Sequence, residues 1–514
     1  MNYNDYLKTI IDSDLSHSFP EIKIGFEKES IRSINANISK IPHPKSLGAS
    51  ISNKYITTDF SESQLELITP PLSGNHNCLE MLDDIHHYVS HNIGSESLWP
   101  FSMPPPIHSE NDIPIADFGS SHQGRFKRIY REGLANRYGK SMQAISGFHF
   151  NYSLPEKIWK NVVENSDSKL IKIRSEVYFN ILRNIYEMNW LLIYLFGASP
   201  IIDNSLILDK KNDFKKLGAT SSYMPYATSL RMSEFGYSNL DRRKFSVSIN
   251  SLDNYIRDLR LATLTEERKY LQFEDINDSQ LNTSIFQIEA EYYAVARPKS
   301  SINEALRMSS NLAIGGVDFI EIRSLDLNPF SRIGINNETV LFLEIFLAFC
   351  LLNEAKDFDD NYIKAIQEND IRVAKYGRKK NISLRNKTGQ ISMRDWGMQT
   401  FYELTRVVEK YFSNDDDYSA ALDTMKSRLK HSDETISARV MDEVLAESSS
   451  HAELGEKISL NYKQHYLETS KSSNKHWEIL EKEAEKSLLL QTELERISKE
   501  SKQSFELFKI EQFS

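Results

Sequence analysis

The sequence predicts an α+β fold built on a mainly antiparallel sheet, and three observations carry that reading. Short segments alternate apolar and polar side chains, the pattern of a half-buried strand. Longer apolar segments, spaced at about 3.6 residues, lie between them as helices. The two kinds interleave, so the sheet is expected to set one face on a core and leave one polar working face.

Residues 22–31 alternate, with Ile24 and Phe26 on one side and Glu27 and Glu29 on the other. Over 78–89 the period lengthens, and Cys78, Leu82, Ile85 and Val89 share one helical stripe. Alternation returns at 147–154, where His149, Asn151 and Ser153 oppose Phe148, Phe150 and Tyr152. Apolar helices are expected near 175–197 and 338–355, with a strand over 320–324 that sets Glu321 and Arg323 on one face. From about Asp415 onward strand signals end and Lys, Glu and Ser dominate. The stretch 471–514 reads as a charged helix packed on the outside of the domain, in preference to a partner-binding coiled coil. No internal repeat or Pro-rich linker is visible.

The 514 residues carry 62 basic and 72 acidic side chains, a net charge of −10. With 40% hydrophobic and 26% charged residues, disordered and fibrous classes are excluded. The acidic excess argues against a nucleic-acid binder, which must neutralise phosphates with Lys and Arg. Cys78 and Cys350 fall in apolar helical patterns and are expected to be buried thiols. The N-terminal stretch lacks the basic-then-apolar order of a signal peptide. The apolar runs 190–196 and 340–352 fall short of the roughly 18–20 residues of a membrane span, and Glu344 interrupts the second. A soluble, cytoplasmic protein is expected.

The sharpest chemical feature is GFEKES at 25–30. Glu27 and Glu29, two residues apart on a strand, stand on one face about 7 Å from each other. Carboxylates that close raise one another's pKa unless a cation holds them ionised, and a hard divalent ion is the usual answer. An exposed, unoccupied Glu-x-Glu strand is the plain alternative. ITTDFSESQLELITP (56–70) adds Asp59, Glu62 and Glu66. His149 on its polar strand face is a ligand, an orienting group or a structural histidine. Glu321 and Arg323 form either a simple ion pair or a metal ligand beside a phosphate clamp.

The basic stretch 124–140 concentrates Arg125, Lys127, Arg128, Arg131 and Arg137 around Tyr130. It either binds an anion or is a solvated helix with Arg128 paired to Glu132. Arg231 and Tyr237 lie in an irregular segment, and 287–298 offers Tyr293 with a second Glu-x-Glu, Glu289 and Glu291. No glycine-rich phosphate loop is present, and His87 and His91 lack an obvious third zinc ligand.

The strings GFEKESIR, ITTDFSESQLELITP, SLWPFSMP, GRFKRIYREGLANRYG, ISGFHFNYSLP, YLFGASP, PYATSLRMSEFGY and FIEIRSLDLNPFSRIG resemble the proteobacterial, stand-alone type of glutamate–cysteine ligase (γ-glutamylcysteine synthetase). They come in that family's order from residue 21 to about 335, and the likeness beyond about 360 is loose. The resemblance implies a glutamine-synthetase-like fold, with a curved antiparallel sheet forming a funnel active site and helices outside. The change of character at about Asp415 sets the expected division, a catalytic domain over 1–414 and a helical extension over 415–514 packed on the same domain.

The implied reaction phosphorylates the γ-carboxylate of L-glutamate with ATP. L-cysteine then attacks the acyl phosphate to give γ-glutamylcysteine, the first step of glutathione synthesis. The resemblance assigns metal binding to Glu27, Glu29, Asp59, Glu66, His149 and Glu321, with several Mg²⁺ or Mn²⁺ ions per site. It makes Arg323 the catalytic phosphate clamp and gives the cysteine pocket to Tyr130, Arg231, Tyr237 and Tyr293. Glutathione is the expected feedback inhibitor, neither nucleic acid nor membrane is an expected partner, and a monomeric state is left open. The stretch SMPPPIHSE (102–110) departs from a cysteine-bearing stretch of some relatives, so their redox-sensitive disulfide is not carried over. A ligase using a different amine, a guanidino kinase and a non-catalytic binding protein are the competing readings, and the fused two-step glutathione synthetase is not expected.

Overall fold

In a computed structural model, the described residues are 19–160, 167–207, 214–236, 245–273, 278–303, 307–447, 450–501 and 503–513. The main sheet is organised around one long strand, β1 (Lys23–Ile34). β2 (Ile56–Thr58), β3 (Gln64–Ile68), β4 (Phe148–Ser153), β5 (Ala296–Lys299) and β6 (Phe319–Leu325) complete the order β5-β6-β4-β1-β3-β2. Every pairing along this path is antiparallel. Three two-residue strands also pair with β1.

Register puts directly opposed residues on the same face. Glu27 faces His149, Glu29 faces Glu66, and Glu321 lies between Asn151 and Arg297. The other face carries Ile24, Phe26, Leu65, Leu67, Phe148, Phe150, Tyr152, Ile320 and Ile322, all buried in one core. Two helices cover it: α1 (Asn75–Asn92) and the 30-residue α2 (Asp167–Phe196). The expected stripe of Cys78, Leu82, Ile85 and Val89 is fully buried. Full burial of each such apolar side chain is worth about 1.5–3 kcal/mol.

A third helix, α3 (Asn337–Leu352), is apolar nearly all round because it packs between α2 and later helices. Asn336 caps it, its side chain accepting from the Thr339 amide. The later helices include α4 (Asp416–Lys430), which adds Leu422, Met425 and Leu429 to the same core. The stretch expected to form one charged helix over 471–514 contains two, α5 (Trp477–Glu500) and α6 (Phe505–Glu511). α5 is tied down by Ser487 Oγ, which accepts from the Ala49 amide at 2.9 Å. From α6, Phe508 packs on Phe126 with ring centroids 6.3 Å apart.

Both cysteines are buried and unpaired. Cys78 donates to the Ile24 carbonyl at 3.0 Å, and burial pushes its thiol up to about 12, so it is an inert packing group. Among the described residues no helix is long and apolar enough to cross a membrane.

Glu344 is a polar group inside the apolar α3, 7% exposed, and it accepts from Tyr418 Oη on α4 at 2.8 Å. Burial pushes its carboxyl up to about 7, with the Tyr418 hydrogen bond pulling the other way. From about pH 4.5, the ordinary value, to about pH 7 the folded chain keeps a proton that the unfolded chain has lost. Stability therefore falls as pH rises through that window. Glu344→Gln, which cannot ionise, is expected to remove up to about 3 kcal/mol of that fall, read from denaturant melts across the same pH range.

Candidate active site

β1 is the spine of the site. Pleating sets Glu27 and Glu29 on its polar face, β4 brings His149 and Asn151, β3 brings Glu66, and β6 brings Glu321 and Arg323. His149 is the hub. Its Nδ1 lies 3.3 Å from Glu27 Oε2 and 3.4 Å from Glu321 Oε1, and its Nε2 lies 3.4 Å from Glu29 Oε1. Asn151 donates to Glu27 Oε1 at 2.9 Å, and the Gly147 amide donates to Glu29 Oε2 at 2.6 Å. Arg323 donates to Glu321 Oε1 at 2.5 Å. Lys299 Nζ stands 2.9 Å from Oε2 of the same carboxylate, outside hydrogen-bonding alignment.

The carboxylates split into two groups. Burial raises Glu66 well above the usual carboxylate range, and Glu27, Asp59 and Glu29 push it further. Burial also raises Glu29, against the charges of His149, Arg231 and Arg323. Burial would raise Glu321 too, but Arg323, Lys299, His149 and Arg297 hold it well below that range. For Glu27, the His149 hydrogen bond and Lys299 prevail over burial and Glu321, leaving it lowered. Burial opposes the charge of Arg323, yet Glu321, Glu29 and Glu27 outweigh it and keep the guanidinium ionised.

Glu27, Glu66 and His149 each offer a ligand atom, all within 4.8 Å of one another. An oxygen-rich donor set of this kind suits a hard divalent cation. Buried Asn151 Oδ1 and Glu321 Oε2 have no hydrogen-bond partner among the described residues, acceptors that a bound cation or ligand would satisfy.

A cavity of about 110 Å³ opens beside the cluster. Glu29, Asp59, His149 and Arg323 line it together with Tyr130, Arg231 and Tyr293. Tyr237 lies outside the described residues. Arg231 is 1% exposed and donates to the Arg323 carbonyl at 2.8 Å. A Cβ at position 147 would stand 2.0 Å from the Arg231 NH2, so glycine is what leaves room for the guanidinium. A second cavity, of about 740 Å³, borders Glu27 and Asn151 and runs past Gly25, Thr69, Pro155 and Phe319.

Several sequence candidates are placed elsewhere. Glu62 ties two loops, accepting from the His43 amide at 2.7 Å and the Asp117 amide at 2.8 Å. Glu289 is buried in an ion pair with Arg307 at 3.0 Å, whereas Glu291, paired with Arg137 at 3.2 Å, lines the small cavity. His87 and His91 contact backbone carbonyls of Thr469 and Tyr466. The basic segment is a helix, His122–Tyr138, that divides by face. Arg128 is exposed, 3.9 Å from Glu132, whereas Arg131 turns inward, donates to the Asp59 carbonyl and lines the small cavity.

Sequence reasoning missed Gln143, Arg297 and Asp326. Arg297 lines the small cavity and sits opposite Glu321 on β5, a strand whose short alternation around Pro298 gave little signal. Asp326 follows β6 and stands 3.7 Å behind Arg231. Its carboxylate accepts from the Ala198 amide at 2.8 Å, Ser199 Oγ at 2.6 Å and Ser229 Oγ at 2.9 Å. No local pattern marks it.

The antiparallel sheet gathers carboxylates, an imidazole and an arginine between a small and a larger cavity, an arrangement suited to an enzyme that brings a divalent cation and anionic substrates together. The family model for glutamate–cysteine ligase matches residues 7–373. A glutamate–cysteine ligase of Alcanivorax borkumensis is 36% identical over 474 residues, 90% of each chain. One of Pseudomonas fluorescens is 38% identical over 483 residues, covering 92% of this chain and 90% of its own. The crystal structure of the Francisella tularensis glutamate–cysteine ligase in complex with AMP has a TM-score of 0.88 at 32% identity, covering 96% of this chain and 97% of that one. A bifunctional glutathione synthetase from Pasteurella multocida shares the fold, with a TM-score of 0.70 at 23% identity, covering 89% of this chain and 54% of that one. The chain belongs to the glutamate–cysteine ligase family.

The raised carboxyls of Glu29 and Glu66 carry a pH signature. A divalent cation binds carboxylates and not carboxylic acids, so its affinity should rise with pH as these groups ionise. Magnesium added to the metal-free protein is expected to release protons, and Glu66→Gln to release fewer. Calorimetric titration in two buffers of different ionisation enthalpy measures the difference.

Proposed function

We propose that the chain joins the γ-carboxylate of L-glutamate to the amine of L-cysteine at the cost of ATP, giving γ-glutamylcysteine, ADP and phosphate. One observation carries this reading. The carboxylate cluster borders two cavities of unequal size, the larger sharing Glu27 and Asn151 with it and the smaller sharing Glu29, His149 and Arg323. A nucleotide in the larger cavity and an amino acid in the smaller would meet at the cluster.

Glu27, Glu29, Asp59, Glu66, His149 and Glu321 are the residues that would hold magnesium. When bound, the ions supply positive charge against the phosphates and carboxylate that must meet. Arg323 does the same from the protein side, its guanidinium held in place by Glu321 at 2.5 Å. The γ-carboxylate attacks the terminal phosphorus of ATP and ADP leaves. The amine nitrogen then forms its bond to the acyl carbon as the carbon–oxygen bond to phosphate breaks and the nitrogen loses a proton. Burial around His149 and Arg231 excludes the water that would hydrolyse the acyl phosphate.

Tyr130, Arg231 and Tyr293 line the acceptor cavity, where Arg231 would pair with the cysteine carboxylate. Tyr237 belongs to the same proposal from the family resemblance alone. The helices of 415–514 are read as part of the one catalytic domain. Glutathione, which contains the product dipeptide, would occupy the glutamate and cysteine positions and inhibit. A cytoplasmic location suits the ATP requirement and the two unpaired thiols.

The deciding experiment is ADP release with glutamate, ATP and magnesium, with cysteine and other amines added singly. Cysteine-dependent release supports the assignment, while release with another amine and none with cysteine overturns it. Arg323→Ala is expected to lower kcat by about 10²–10³, because its contact strengthens as charge moves in the transition state. Tyr293→Phe should instead act mainly on KM for cysteine. Asp326→Asn keeps its shape but removes the charge behind Arg231. It is expected to raise KM for cysteine about tenfold with little change in KM for ATP, measured by steady-state kinetics.

A further inference from the structure

The polar face of β1 carries the site, and its opposite face carries a buried lysine. Lys28 lies between Glu27 and Glu29 in sequence, so pleating turns it to the other side of the sheet, where it is 3% exposed. There its Nζ meets His86 Nε2, on α1, at 3.0 Å. Among the described residues no carboxylate pairs with it. A lysine side chain bonded to one histidine nitrogen keeps donors to spare, and an anion beside it would favour its charged form.

Lys28 and His86 border a chamber of about 20 Å³, closed by Arg332, Tyr462, Lys463 and Tyr466. The nearby acids are committed. Glu96 holds Arg32 at 2.5 Å, and Asp83 Oδ1 accepts from Tyr466 Oη at 2.6 Å while standing 3.9 Å from Arg332. Lys463 donates to the Gly94 and Glu96 carbonyls. Position 334 needs glycine: φ is +81°, and a Cβ there would stand 2.9 Å from Lys28 Cε. The loop thus closes directly over the lysine. Basic side chains from three separate segments, Lys28, Arg332 and Lys463, line a chamber whose described lining holds no carboxylate.

We propose that this chamber binds a monatomic inorganic anion of chloride size, held between Lys28 and Arg332. A single water needs about 10–15 Å³, so a space of this volume takes one small ion and no organic ligand. The anion would favour the charged form of Lys28, which has no carboxylate partner among the described residues. It is a structural site, behind the strand that presents Glu27 and Glu29 and distinct from the acidic cluster, whose charge repels anions.

Bromide, which is close to chloride in size and scatters X-rays anomalously, is the probe. Crystals of the full chain soaked in bromide are expected to show an anomalous peak beside Lys28 Nζ, absent from Arg332→Gln crystals. In solution, replacing gluconate with chloride at constant ionic strength should raise Tm of the wild-type chain, and the rise should be lost in Arg332→Gln and in Lys28→Met. Arg332 is 42% exposed, so its variant keeps the test decisive if Lys28→Met does not fold. Wild-type crystals with bromide peaks elsewhere but none at Lys28 would overturn the proposal. An equal chloride-dependent rise in Tm for wild type and Arg332→Gln would also overturn it.

Discussion

Everything in this structure depends on keeping several carboxylates together on one face of four adjacent strands, β6, β4, β1 and β3. Two like charges about 4–5 Å apart repel by roughly 3–4 kcal/mol at the effective dielectric of a protein. No local interaction in β1 offsets that. The sheet does, because the same pleat that turns Glu27 and Glu29 to one side buries Phe26 and Ile24 on the other. The acidic row is held by the apolar burial behind it, from β1 through α1, α2 and α3.

The cations are not spread evenly over this row. Arg323, Lys299 and Arg297 all come from β5 and β6, at one end of the sheet order, and they settle on Glu321. Glu66, on β3 at the opposite side of β1, has mainly other acids for company. His149 stands between them on β4 and contacts carboxylates with both ring nitrogens. The result is a gradient, with carboxyl pKa values held down beside the cations of β5 and β6 and pushed up towards Glu66. The end crowded with acids is where an added cation relieves most repulsion. Arg231 extends the ordered end: its hydrogen bond to the Arg323 carbonyl and its backing by Asp326 join the acceptor cavity to the phosphate clamp through one backbone group.

Two Glu-x-Glu motifs show how far local pattern reaches. Glu27 and Glu29 lie on a strand, so their spacing puts them on one face beside His149. Glu289 and Glu291 have the same spacing but sit in a short 3-10 turn, where that spacing does not align side chains, and each is neutralised by its own arginine. The surrounding alternation of Ile24 and Phe26 distinguished the first motif, and the second had no such frame. The basic helix makes the same point. Arg128 and Arg131 are equally basic in sequence, and only the burial of one helix face separates the solvated arginine from the cavity-lining one.

The sequence by itself determined the strands and helices that have clean periods, the polar face that Glu27, Glu29, His149 and Glu321 share, and the family strings that run through them. These are short-range properties: side-chain direction follows from backbone period, and a strand's polarity is written in its own residues. The tertiary structure alone decided which carboxyl pKa values are raised and which lowered, which face of the basic helix reaches the cavity, and that Asp326 stands behind Arg231. Those outcomes rest on contacts between segments as far apart in the chain as Ala198 and Asp326, or Glu27 and His149. A pKa or a guanidinium's position is set by whatever packs within a few ångströms, and the sequence does not say what that is until the sheet has closed.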